Sequence, residues 1–206
     1  MAYLYKNMLF VHIPKTGGTY IRSVFKALGY SGTELGHEHS HISHITDLVM
    51  PIKKDIYAWC MIRHPKTWYQ SFWAFRCQRG WSPSNPIDFK CASNDFNTFV
   101  NNCIEHYPQG LLTSILNNHI QNDMGINVIV KKYESLHDEL NSALQESGIK
   151  NNLNAIPRLN RVNASILDNK PSSHFAIYED VVFKKMIKAE KSLIDTYYED
   201  TFIDFN

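Results

Sequence analysis

The run His12-Ile-Pro-Lys-Thr-Gly-Gly-Thr-Tyr20 constrains the fold most, because it joins two segments of different periodicity. Before it, Met8-Leu-Phe-Val-His-Ile13 has the length and the β-branched and aromatic content of a buried strand. After it, Ile21, Val24, Phe25 and Leu28 recur at the i, i+3, i+4, i+7 spacing of one helix face, and Gly29 supplies the stop. Pro14 and the Gly17-Gly18 pair interrupt the chain between them. The order is strand, glycine loop, helix. Paired glycines let the backbone turn sharply and approach a ligand, while the open amides of the first helical turn face it. Those amides and the helix dipole favour an anion. Lys15 adds a positive charge, and Thr16 and Thr19 add hydroxyl donors. The ordinary triphosphate loop, G-x-x-x-x-G-K-[ST], has its lysine after the glycines; here Lys15 precedes them. Taken alone, the same residues also suit a plain glycine turn capping a structural helix.

A second segment changes that weighting. Ile56-Tyr-Ala-Trp-Cys-Met-Ile62 reads as another buried strand, ending in Arg63, and Pro65 marks the edge of the following helix, where proline costs little. Ser71 lies eight residues beyond Arg63, roughly two helical turns on, so a strand-end guanidinium and a helix hydroxyl can meet one group. Arginine offers paired hydrogen bonds to phosphate oxygens.

With both segments in view, the chain resembles the sulfotransferases that use 3′-phosphoadenosine-5′-phosphosulfate (PAPS), in particular the carbohydrate and glycosaminoglycan O-sulfotransferase group. The resemblance implies an α/β fold with a central parallel sheet flanked by helices, a P-loop-like nucleotide-binding architecture, and one domain over residues 1–206. It implies that Lys15, Thr16, Gly17, Gly18, Thr19 and Tyr20 bind the 5′-phosphosulfate, and that Arg63 and Ser71 bind the 3′-phosphate. Weaker likenesses follow in Val128–Leu136, Asn160–Ser165 and Tyr197–Phe202. The implied reaction is in-line transfer of the sulfuryl group from PAPS to a hydroxyl acceptor, a glycan or a small molecule, leaving adenosine 3′,5′-bisphosphate (PAP).

The periodicity predicts further helices at about 96–106, 111–121, 134–147 and 179–198, a strand at about 126–132 and a loop at Ser82–Pro86. Strands separated by helices argue for a parallel sheet. In such a sheet ligands bind beyond the carboxyl ends of the strands, where both Lys15 and Arg63 fall.

A formal net charge of +1 gives no sign of a nucleic-acid-binding domain. No run approaches the roughly 18 apolar residues of a membrane span, and no signal peptide is visible, so a cytoplasmic enzyme is expected. Cys60, Cys77, Cys91 and Cys103 are too widely spaced for a C-x-x-C motif; free thiols are expected, with Cys91 and Cys103 the pair that an oxidising compartment would join.

Gly36–His44 holds four of the ten histidines. Their spacing matches no structural zinc pattern, so no metal is expected. Sulfuryl transfer needs a base for the acceptor proton, and histidine titrates in the useful range. The resemblance places that base after the first helix, which makes His37 the candidate, with Glu38, His39 and His41 as competitors. Trp68 and Trp81 are candidates for stacking on a sugar or on adenine, while Phe72 and Phe75 are expected in the core. The rival readings are a nucleotide-dependent phosphotransferase, which would need carboxylates to hold magnesium, and a non-catalytic nucleotide-binding protein.

Overall fold

Five short strands form one sheet. The computed structural model describes residues 2–36, 41–45, 56–149 and 175–198. The strands are β1 (Ala2–Tyr5), β2 (Met8–Val11), β3 (Thr33–Leu35), β4 (Tyr57–Ile62) and β5 (Val128–Lys132), in the order β3-β1-β2-β4-β5. β2, β4 and β5 run parallel, with Val11 opposite Cys60 and Ile62 opposite Lys132. β1 is antiparallel to both β2 and β3. The sheet is therefore mixed, and the expectation of a parallel sheet holds only for its three-strand side. The antiparallel strands escaped the sequence reading for local reasons. The β1–β2 hairpin turns at Lys6 and Asn7 with Lys6 at φ 51 and no glycine to announce it. β3 exposes two of its three residues and so lacks an apolar run.

The chain falls into two compact units, the first comprising 1–63 and 116–164. In it, α1 (Gly18–Ala27) and α6 (Leu136–Glu146) cover one face of the sheet. Ile21, Val24 and Phe25 join Leu140, Ala143 and Leu144 against Met8, Phe10, Trp59 and Met61. Leu9, Val11, Cys60 and Ile62 point to the other face and are also fully buried, which is why β2 and β4 read as continuous apolar runs. Burial pushes the Cys60 thiol up to about 12.

The second unit comprises 64–115 and 165–206. Its described elements are helical: α2 (Pro65–Arg79), α3 (Pro86–Cys91), α4 (Phe96–His106), the first half of α5 (Leu111–Ile120), α7 (Asp180–Ala189) and α8 (Lys191–Tyr197). Proline begins both α2 and α3, and Asn85 and Asp95 cap α3 and α4 through their side chains. α3 was not expected after the Ser82–Pro86 loop, because only Asp88 and Cys91 of its six residues are buried and no apolar face shows.

Trp68 is fully buried in this core, which removes it as a ligand-stacking candidate. Trp81 is half-buried and donates its indole N–H to Asn94 Oδ1 at 3.2 Å. Phe72 is buried as expected; Phe75 is only half-buried.

The helix expected over 179–198 breaks at Glu190. Its buried carboxylate accepts from Leu112 N at 2.8 Å, Thr113 N at 3.0 Å, Thr113 Oγ1 at 2.6 Å and Tyr69 Oη at 2.8 Å, and so caps the start of α5. No described helix is long and apolar enough to cross a membrane.

Candidate functional site

The loop between β2 and α1 leaves the sheet at the carboxyl end of β2, and Arg63 follows the carboxyl end of the neighbouring parallel β4. Tyr133 follows the third parallel strand, β5, at the same edge. This is the edge at which open α/β sheets bind ligands.

Within the loop, Lys15 adopts φ 64, a left-handed conformation that costs a non-glycine residue about 1–2 kcal/mol. Gly17, the N-cap of α1, is also left-handed, with φ 88 and ψ 10. Such turns gather successive amides into a concavity suited to an anion. The first intrahelical bond runs from Ile21 N to Gly17 O at 3.1 Å. No side chain caps the helix, and its first turn carries no acidic residue. Thr16 is fully buried and its Oγ1 donates to Ile13 O at 2.8 Å, so the hydroxyl braces the loop from within. Thr19 and Tyr20 lie half-buried in the first turn.

Both glycines are fixed by their neighbours. A Cβ on Gly18 would stand 2.2 Å from Cδ2 of His12, and one on Gly17 would stand 3.0 Å from Cε2 of Tyr133. His12 and Tyr133 are therefore walls of the loop, and the sequence reading assigned neither to the site. His12 could have been noticed as the residue entering the loop. Tyr133 could have been noticed as the residue leaving the third strand of the parallel set. The Arg63 guanidinium carbon lies 4.7 Å from the centre of the Tyr133 ring, a cation–π contact. Lys15, Thr16, Gly17, Gly18, Thr19, Tyr20 and Arg63 all belong to the first unit; Ser71 lies half-buried on α2, in the second.

His37, Glu38 and His39 lie outside the described residues, as does Asn160–Ser165. His41 is described: its ring stacks on His44 at 4.6 Å and meets His119 at 4.5 Å. Burial, and then the neighbouring His44, lower its pKa, which favours the neutral imidazole. Among the described residues, no group of three His, Cys, Asp or Glu side chains is placed to hold a metal ion.

No family model, curated protein or solved structure matches the chain.

Proposed function

We propose that the chain is an O-sulfotransferase that uses PAPS as donor and a hydroxyl, on a carbohydrate, as acceptor. The observation that carries this reading is the pairing of the left-handed Lys15–Gly17 turn at the end of β2 with Arg63 at the end of the adjacent parallel β4. Two cationic positions on neighbouring strand ends suit a ligand with two separated anionic groups. The loop suits such a group because its left-handed turn leads into a helix start whose amides have no side-chain cap.

PAPS supplies an activated sulfuryl group, whose bond to the 5′-phosphate breaks as the acceptor oxygen attacks. Lys15 and the loop amides stabilise charge growing on the bridging and sulfuryl oxygens. Arg63, held against Tyr133, offers its planar fork to the 3′-phosphate. His37 takes the acceptor proton, with Glu38, His39 and His41 as alternatives; His41 has the lowered pKa that a neutral base needs.

A magnesium-dependent phosphotransferase is less well supported, because arginine stands at the end of β4 and the loop has its lysine before the glycines. Titration calorimetry with PAP and AMP tests the reading. Losing a charged phosphate contact costs about 1.5–3 kcal/mol, so PAP should bind roughly 10- to 150-fold more tightly. Equal affinities overturn the assignment, and turnover of labelled PAPS with a glycan acceptor separates an enzyme from a binding protein.

A further inference from the structure

The peripheral helix α3 packs beside α4, and each turns one cysteine inward: Cys91 in the last turn of α3 and Cys103 in the body of α4. Both residues are fully buried, both thiols are free, and the two side chains hydrogen-bond to each other. That contact brings together the sulfurs of two adjoining helices.

The two thiols are not equivalent. Burial pushes Cys103 well up, and the hydrogen bond with Cys91 and the negative Glu190 nearby add to the rise. Cys91 is drawn below the usual thiol range by the hydrogen bond from Cys103, with Lys90 contributing, although its own burial opposes the change. The two also differ in access, because Cys91 ends the six-residue α3 whereas Cys103 lies in the body of α4.

We propose that Cys91 and Cys103 form a reversible disulfide by exchange with a small-molecule disulfide such as oxidised glutathione, with Cys91 attacking first and Cys103 resolving. In the first step the Cys91 thiolate bonds to one glutathione sulfur, the glutathione S–S bond breaks, and one glutathione thiolate leaves. Cys103 then gives its proton to solvent and bonds to Cys91 Sγ, which releases the second glutathione thiolate. The protein thiols lose two electrons and two protons, and the glutathione disulfide gains the two electrons.

Access comes from the shape of α3. The helix has only six residues, Phe89 beside Cys91 is 75% exposed, and Lys90 and Ala92 are exposed. Asp88 anchors the helix through Arg76 and the Ser82 amide, so fraying of the last turn uncovers Cys91 without releasing the rest. Cys60 and Cys77, pushed up by burial to about 12 and about 11, are poor competitors.

The test treats the native protein with oxidised glutathione, traps the remaining thiols at low pH and maps the peptides by mass spectrometry. Two of the four free thiols should disappear, with Cys91 linked to Cys103 and the link reversed by dithiothreitol. Cys103→Ser should accumulate glutathione on Cys91 without a link, whereas Cys91→Ser should leave Cys103 unmodified. The cross-link should also raise the thermal midpoint of the oxidised protein by several degrees. Persistence of all four thiols in wild-type protein that circular dichroism shows to be folded overturns the proposal. Modification of Cys103 in Cys91→Ser as rapid as that of Cys91 in Cys103→Ser overturns the order of attack.

Discussion

The Arg63 guanidinium rests on the ring of Tyr133 at 4.7 Å, and the edge of that ring closes against Gly17. One aromatic side chain therefore touches both of the segments that we propose bind anions. Tyr133→Ala should weaken PAP binding about 3- to 30-fold, the range of a cation–π contact, while Tyr133→Phe keeps most of the affinity. Calorimetry on the two variants decides it, and equal losses in both would shift the role from the ring to the hydroxyl.

Gly18 admits no side chain while His12 stands where it does. Gly18→Ala should abolish measurable PAP binding, and adding His12→Ala should restore part of it by opening space for the new methyl group. The double-mutant cycle is the measurement. If the two effects simply add, the His12 ring is not what forbids a side chain at Gly18.

Lys15 sits in a conformation better suited to glycine. Lys15→Gly should be more stable than Lys15→Ala by about 1–2 kcal/mol in denaturant titrations, while both lose sulfuryl transfer. The same assay should be unaffected by EDTA. A chelation loss reversed by zinc or magnesium would favour the metal-dependent rival.

Glu190 gathers two amides and two hydroxyls in the second unit, 77 and more residues away in sequence. Burial pushes its carboxyl up, and the donors from Thr113, Tyr69 and Leu112 pull it back. Glu190→Ala leaves those donors without an acceptor and should cost at least about 3 kcal/mol, or roughly 6–12 °C in thermal midpoint. A midpoint within 2 °C of wild type (about 0.5–1 kcal/mol) would mean that water replaces the carboxylate.

Glu146 gives an acid-side signature. Lys131 at 2.8 Å, then Ser142 and the Tyr57 hydroxyl, hold its carboxyl down to about 2, against an ordinary 4.5. Because the folded value is the lower one, the contribution is present above pH 4.5 and is lost as the pH falls toward 2. Glu146→Gln should therefore flatten the fall in thermal midpoint across that window. Its partial exposure keeps the change modest.

Much of the first unit was legible in short stretches of chain. The apolar runs of β2 and β4, the helical spacing of α1 and the glycines between them are local signals, set by backbone sterics and side-chain periodicity. They place Lys15 and Arg63 at strand ends without reference to any tertiary contact. The limits of α4 and α5 were legible for the same reason.

What local pattern could not supply was decided by contacts between distant residues. Nothing near Gly17 in sequence announces Tyr133, and nothing near Gly110 announces Glu190, whose carboxylate would stand 2.4 Å from a Cβ there. The break at Glu190 goes against the helical pattern around it, because a buried carboxylate surrounded by four donors outweighs the preference of a few residues to remain helical. The antiparallel edge was likewise decided by pairing: β1 is half-buried with no glycine to mark its turn, β3 exposes two of its three residues, and both become strands only when hydrogen-bonded to the neighbours that the fold brings to them.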